Sequence, residues 1–226
     1  MYLNDEKISE SAVLSYRQAL WNSCPNHVVI DDLFREEKLG EIMDVLQRDE
    51  SWETQKHTYS ALYVDDEEWQ KSADDERFVK RDLWQAKEAD STLAKDFLKF
   101  LRGKSFMSLL SRIFQVEITD VTVGEPEINS RYFRLAGDDF VEQHADDSPG
   151  REICMLLYLN KDWHEEAGGE IVFIGKGEKN IRIAPFFNRC VLFDPSSEGA
   201  EHWVEKLKTQ EPGLFRYNVT SWYWSE

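Results

Sequence analysis

Short apolar strands punctuated by glycine turns in the second half of the chain, with helical apolar spacing in the first half, predict a mostly β protein with supporting α helices. The expected form is a jelly-roll or double-sheet barrel. Three stretches carry that expectation. Tyr132-Phe133-Arg134-Leu135-Ala136-Gly137-Asp138-Asp139-Phe140 reads as a strand, a glycine turn and a returning strand. Ile153-Cys154-Met155-Leu156-Leu157-Tyr158-Leu159 is an almost unbroken apolar run, as expected of a strand covered on both faces. After Asn160-Lys161-Asp162-Trp163 and a polar loop, Gly168-Gly169-Glu170-Ile171-Val172-Phe173-Ile174 begins another strand.

Towards the N-terminus, His27-Val28-Val29-Ile30 is a short strand running into Asp31-Asp32, and helical spacing then places Leu39, Ile42, Met43 and Leu46 on one side of a helix. Residues Asp65 to Glu76 are dense in Asp and Glu around Trp69, the composition of an exposed loop or short helix rather than core, with a lid over a site as the alternative. A helical pair follows, with Leu93, Phe97, Leu98 and Leu101 on the first member and Phe106, Leu109, Leu110 and Ile113 on the second, separated at Gly103.

Within this frame, His144-Ala145-Asp146 sets an imidazole and a carboxylate two residues apart. On a strand, such residues point to the same face. With His202 downstream they supply two histidines and one carboxylate, the facial arrangement that leaves positions open on a non-haem Fe(II) ion. The tripeptide alone is more often a solvated turn, so its setting gives it weight. Arg216 sits among Leu214, Phe215, Val219 and Trp222, where a buried cation requires a carboxylate or an equivalent partner. Strand alternation puts Arg216, Asn218, Thr220 and Trp222 on one face, which should line a pocket, and Tyr217, Val219 and Tyr223 on the other. Cys154, Leu156 and Tyr158 likewise share a face. His27, His57 and His164 have no ligand at metal spacing and are read as surface or packing residues.

From about Ser130 to Trp224 the chain resembles the prolyl 4-hydroxylase-like branch of the Fe(II)/2-oxoglutarate-dependent dioxygenases. The resemblance rests on His144-Ala145-Asp146, Tyr158 to Trp163, Gly168-Gly169-Glu170, His202, and Arg216-Tyr217-Asn218-Val219-Thr220-Ser221-Trp222-Tyr223. It implies a double-stranded β-helix of the jelly-roll or cupin-like kind, with Fe(II) held by His144, Asp146 and His202. It also implies 2-oxoglutarate as cosubstrate, dioxygen as co-reactant and ascorbate in a supporting role. Arg216 would receive the distal carboxylate of 2-oxoglutarate, with Tyr158 and Thr220 beside it; a core tyrosine satisfied by backbone is the other reading of Tyr158. Trp222, Asn218 and Leu156 fall to the substrate pocket. The interval from His202 to Arg216 is longer than this branch leads one to expect, and Glu205 to Gly213 reads as an enlarged hairpin loop. Residues 1–115 are then an N-terminal strand and supporting helices of the same domain, and 116–226 the catalytic core.

The resemblance implies hydroxylation of an unactivated C–H bond, most simply of a prolyl residue in a protein or peptide, because relatives that halogenate replace the carboxylate that Asp146 retains. A free amino acid or a natural-product intermediate fits the same motifs. Two other readings stand beside it. Arg216 to Trp222 partly matches the Arg-X-Asn-X-Thr-X-Arg signature of nucleic-acid demethylases, but Trp222 stands where their final arginine does. A barrel that keeps its fold without chemistry would be a binding module.

A formal charge of -17 in 226 residues, with pI near 4.7, opposes nucleic acid and anionic membrane surfaces and favours neutral or basic partners. Cys24, Cys154 and Cys190 are too scattered for a disulfide framework. The acidic start lacks a signal-peptide pattern and there is no apolar run of membrane-spanning length, so a cytoplasmic protein is expected.

Overall fold

Strand alternation divides the side chains into those that meet the helices and those that face the barrel interior. The computed structural model describes residues 2–85, 92–120, 129–208 and 213–225. Its helices are α1 (Glu10–Trp21), α2 (Glu36–Arg48), α3 (Asp66–Lys71), α4 (Thr92–Leu101) and α5 (Lys104–Phe114). The strands are β1 (His27–Asp31), β2 (Trp52–Thr58), β3 (Arg77–Trp84), β4 (Ser130–Leu135), β5 (Phe140–His144) and β6 (Arg151–Tyr158), followed by β7 (Ile171–Phe173), β8 (Ile181–Ile183), β9 (Arg189–Phe193), β10 (His202–Val204) and β11 (Arg216–Trp224).

The strands form one curved antiparallel ladder in the order β1-β9-β6-β11-β4-β3-β5-β10-β7-β8, with β2 on β3. Because β2 occupies one edge of β3, the other edge is shared: Asp82 and Leu83 pair with β4, while Val79 and Lys80 pair with β5. This shared edge carries the ladder round from the larger group of strands to the smaller one, and the result is the half-barrel of a double-stranded β-helix. No helix among the described residues is long and apolar enough to cross a membrane.

The outer face of β6, β9 and β11 meets the helices. Ile153, Met155, Leu157, Leu192, Val219 and Tyr223 join Leu39, Ile42 and Leu46 of α2 and Phe97, Phe106 and Leu110 of α4 and α5 in one core. Each fully buried Leu or Ile stabilises this packing by about 1.5–3 kcal/mol. The 3.6-residue spacing read from α2, α4 and α5 is therefore the spacing of a helix face laid on a sheet. Helix α1, capped by the Ser9 hydroxyl on Ala12 N–H, was invisible to that spacing. It buries only Val13 and Leu20, and Leu14 and Trp21 are exposed.

The acidic segment expected to be an exposed loop or short helix forms α3, with the Asp65 carboxylate capping Glu68 N–H at 2.9 Å. Trp69 corrects the expectation, since it is buried. Its indole lies under the Arg77 guanidinium, 4.9 Å from the ring centre, and beside Phe140. Most of the Asp and Glu residues around it stay in solvent. The cation over the ring and the neighbouring aromatic, neither adjacent in sequence, make this small core.

Candidate metal centre and cosubstrate pocket

His144 is the last residue of β5 and pairs across the ladder with His202, the first residue of β10, so strand pairing alone brings the two imidazoles together at 4.4 Å between ring centres. Asp146 does not share a strand with His144, as the same-face reading assumed. Strand β5 ends at His144, and Asp146 stands in the turn that follows, where Asp147, Ser148, Pro149 and Gly150 favour a change of direction. The carboxylate still reaches the histidines. Its oxygens lie 3.7 Å from His144 Nε2 and 3.9 Å from His202 Nε2, and the three ligand atoms fall within 4.8 Å of one another.

Each member of the triad is oriented by a hydrogen bond. His144 Nδ1–H donates to the Glu142 carbonyl (2.9 Å) and His202 Nδ1–H to the Ala200 carbonyl (3.0 Å), which leaves both Nε2 lone pairs facing the carboxylate. The Trp222 indole N–H donates to Asp146 Oδ2 at 3.0 Å, and Arg151 donates to the Asp146 backbone carbonyl. Burial opposes charge on Asp146, yet His144, His202, Trp222 and Arg151 together hold its pKa below the ordinary value. Burial, helped by His144, pushes His202 down to about 4, so the imidazole is neutral at physiological pH, the form that binds a metal. Two imidazole nitrogens and one carboxylate oxygen, with no further His, Cys, Asp or Glu ligand joining the cluster among the described residues, fit an Fe(II) ion that keeps open positions.

Beyond the triad, β11 presents a hydrogen-bonded ladder on its inner face. Arg216 donates through Nη1 to Asn218 Oδ1 (2.9 Å), and Asn218 Nδ2 donates to Thr220 Oγ1 (2.9 Å). Arg216 is 2% exposed and also donates to the Gly169 carbonyl at 2.6 Å. Its guanidinium stands over the Tyr158 ring, 4.9 Å from the centre. Burial lowers the Arg216 pKa, while Tyr158 and Glu170 favour its charge, although no carboxylate among the described residues makes an ion pair with it. The Tyr158 hydroxyl is buried without a well-formed hydrogen bond, and burial pushes the phenol up to about 12, so it stays a donor. A buried cation lacking a carboxylate beside an unsatisfied hydroxyl donor fits the distal carboxylate of 2-oxoglutarate.

The glycine pair explains how Arg216 reaches this position. Gly169 has φ +76°, and a Cβ there would lie 3.1 Å from Arg216 Cδ and 2.9 Å from Leu207 Cδ2. The rest of the Tyr158–Trp163 motif is scaffold. Asn160 accepts from Tyr217 N–H and donates to the Pro185 carbonyl, while the Trp163 indole donates to the Gly168 carbonyl. Leu156 packs with the cluster of Tyr158, Val191 and Phe193, and Trp222 reaches both this cluster and Asp146. Of the expected hairpin loop at 205–213, residues 209–212 lie outside the described residues.

Sequence reasoning did not find the wall formed by β2 and β3. Gln55, His57 and Arg81 share its inner face, where Gln55 pairs with Arg81 and His57 with Val79. Phe78 links it to the triad, with its ring 5.8 Å from His57 and 5.9 Å from His144.

A double-stranded β-helix with a two-histidine, one-carboxylate cluster and a buried arginine on the inner face of β11 has the parts of a non-haem iron oxygenase of the 2-oxoglutarate-using class. Residues 130–224 match the model of the 2OG-Fe(II) oxygenase superfamily, a match that implies Fe(II) as cofactor and 2-oxoglutarate as cosubstrate. A prolyl 3-hydroxylase of Mus musculus, OGFOD1, is 25% identical over 133 residues, which cover 56% of this chain and 23% of the mouse protein; the chain thus spans under a quarter of that relative. A Pseudomonas putida prolyl-4-hydroxylase superposes with a TM-score of 0.65 at 12% identity, covering 94% of this chain and 98% of the other. A Trichoplax adhaerens prolyl hydroxylase, solved with a hypoxia inducible factor oxygen degradation domain peptide, gives 0.63 at 19% identity, covering 97% and 96%. These likenesses establish the prolyl-hydroxylase-like fold.

Proposed function

We propose that this chain hydroxylates an unactivated carbon of a prolyl residue in a protein or peptide, using Fe(II) at His144, Asp146 and His202 and 2-oxoglutarate anchored by Arg216. The carrying observation is the convergence of the three candidate ligand atoms within 4.8 Å, together with a buried Arg216 that makes no ion pair among the described residues. Iron and 2-oxoglutarate, when bound, supply the oxidant, consuming dioxygen and releasing succinate and carbon dioxide. The chain's own residues place the reactants. The two backbone carbonyls fix the imidazole tautomers, Trp222 fixes the carboxylate, and the Arg216–Asn218–Thr220 ladder holds the cation that receives the cosubstrate, with the Tyr158 hydroxyl as second donor. The apolar cluster of Cys154, Phe173 and Phe193 keeps water from the inner end of the pocket.

The prolyl substrate is supported by the mouse relative and by the peptide carried by the Trichoplax neighbour. The net charge of -17 supports it against a nucleic acid. We take residues 1–115 as part of the same catalytic unit as 116–226, because β3 lies between β4 and β5 in the ladder. We place the protein in the cytoplasm, in keeping with its three free cysteines. The test is to assay proline-containing peptides, free proline and methylated oligonucleotides, following succinate and product mass together. A gain of one oxygen on a prolyl peptide is expected. Loss of a methyl group from an oligonucleotide, with no activity on any proline, overturns the proposal.

A further inference from the structure

Arginines away from the barrel cavity mostly hold a carboxylate: Arg77 with Asp74, Arg102 with Asp120, Arg134 with Asp82 and Arg189 with Asp31. Arg81 and Arg131 do not. Both are partly buried, on the neighbouring strands β3 and β4, and neither forms an ion pair with a carboxylate among the described residues. Arg81 stacks on Phe133, 3.6 Å from the ring centre, and spends only its Nε–H on Gln55, at 3.2 Å. Arg131, opposite Thr220 of β11, lines a cavity of about 200 Å³ with Glu53, Gln55, Lys56, Leu83 and Gln85, and Gln55 ties that cavity to Arg81. Arg81 lies within the electrostatic reach of Asp146, Arg131 and Arg216, and its dehydration works against its charge. In a chain with 44 acidic and 27 basic residues, two neighbouring, partly buried cations that form no ion pair among the described residues are an exception that a bound anion would resolve.

We propose that Arg81 and Arg131 form an anion subsite that takes a carboxylate of the substrate, so that the preferred substrate carries an acidic group close to the carbon that is hydroxylated. This rests on the oxygenase reading of the triad. The guanidinium of Arg81 is held flat by Phe133 and on one edge by Gln55, leaving its terminal N–H groups for two carboxylate oxygens. A single carboxylate suits the site better than a polyanion, because the strongly negative remainder of the molecule repels extended phosphate chains. The carboxylate can come from an Asp or Glu side chain in a peptide or from the α-carboxylate of a free amino acid.

The experiment measures binding by competition fluorescence anisotropy, under nitrogen with Fe(II) and 2-oxoglutarate present. The probes are short peptides with one central proline and either Asp or Asn at each flanking position in turn, together with N-acetylproline and its amide. At one or more positions Asp is expected to bind about 10-fold more tightly than Asn, as for a hydrogen-bonded charge. Arg81→Gln should reduce that preference to about 2-fold or less, with Arg81→Lys retaining part of it. A preference seen only with N-acetylproline over its amide assigns the subsite to a free amino acid. Equal affinity for acid and amide in every pair overturns the proposal, as does a preference that survives both Arg81→Gln and Arg131→Gln. It is equally overturned if Arg81→Gln weakens 2-oxoglutarate as much as the peptide, since Arg81 would then belong to the cosubstrate pocket. Should Arg81→Gln fail to fold, Arg131→Gln carries the same test, its side chain making no hydrogen bond with the described residues. An acid preference that persists when the central proline becomes alanine keeps the subsite and removes the prolyl reading, so the two fail separately.

Discussion

The triad and the wall of β2 and β3 border the same space, joined through Phe78, but they are built on different terms. In the triad each side chain is held by a hydrogen bond: both imidazoles through Nδ1 to backbone carbonyls, Asp146 to an indole. Among the described residues, Arg81 on the wall commits one of its donors and Arg131 on the adjoining β4 none. A site that binds an ion of fixed size rewards rigidity, whereas a site that receives a substrate must keep donors in reserve. The same contrast governs what substitution should do at each place.

The largest effect belongs to the ligands. His144→Ala or His202→Ala should abolish iron retention, measured by metal analysis of purified protein, and lower turnover by more than about 100-fold, since loss of merely a supporting partner reaches that order. The far-ultraviolet circular dichroism spectrum should be unchanged. Full activity in His202→Ala would sink the assignment of the metal centre.

Arg216 comes next, because it is committed on one side, to Gly169 and Asn218, and open on the other. Arg216→Ala should raise the 2-oxoglutarate KM about 10- to 100-fold, the loss of charge-assisted hydrogen bonds, with little change in the iron requirement. Lysine should restore only part, since it supplies a point charge in place of a planar fork. An unaltered KM in the alanine variant would send the search to another cation. Lys206 and Lys208, the nearest lysines before Arg216 in sequence, are poor substitutes on structural grounds: both are exposed, and Lys206 lies 3.8 Å from Glu142.

The unequal legibility of these regions has a physical cause. The inner face of β11 could be read because strand alternation is strict there, with Tyr217, Val219 and Tyr223 separating its candidate site residues, whereas His144 and His202 were read from their spacing and the family resemblance. The faces of β11 came out as expected, with Tyr217, Val219 and Tyr223 on the helix side. Asp146 was found for a reason that did not hold: it stands beyond the end of the strand, and tertiary partners do the orienting that a strand was expected to do. The β2–β3 hairpin went unread because Gln55, His57 and Arg81 occupy inward positions where the alternating pattern calls for apolar residues. Local rules fail where a barrel interior is kept polar for binding.

The smallest predicted effect tests whether the wall is as dry as its packing suggests. His57 is buried against Tyr63 and Phe78, and its Nδ1 accepts the Tyr63 N–H at 3.1 Å. Burial first, then the nearby Arg81 charge, lowers its pKa from the ordinary 6.5 to about 4. In the unfolded chain the imidazole gains its proton near pH 6.5, while in the folded protein it stays neutral until about pH 4. Between those values the unfolded state binds more protons. The stability that His57 contributes is therefore complete above about pH 6.5 and lost as the pH falls towards 4. Allowing for screening at the barrel rim, the loss is about 1–2 kcal/mol, or roughly 2–8 °C in Tm for a chain of this size. Thermal melts of wild type and His57→Gln between pH 7 and pH 4 isolate this contribution, because the other titrating groups are common to both. The glutamine variant should melt lower at pH 7 and converge with wild type by pH 4. Repeating the melts in an Arg81→Gln background should make the pH-dependent change smaller and end it above pH 4, as removing the neighbouring cation lets the folded imidazole take up its proton at a higher pH and lose less stability. Parallel curves for wild type and His57→Gln would mean that water reaches the ring and that the wall of β2 and β3 is open to solvent.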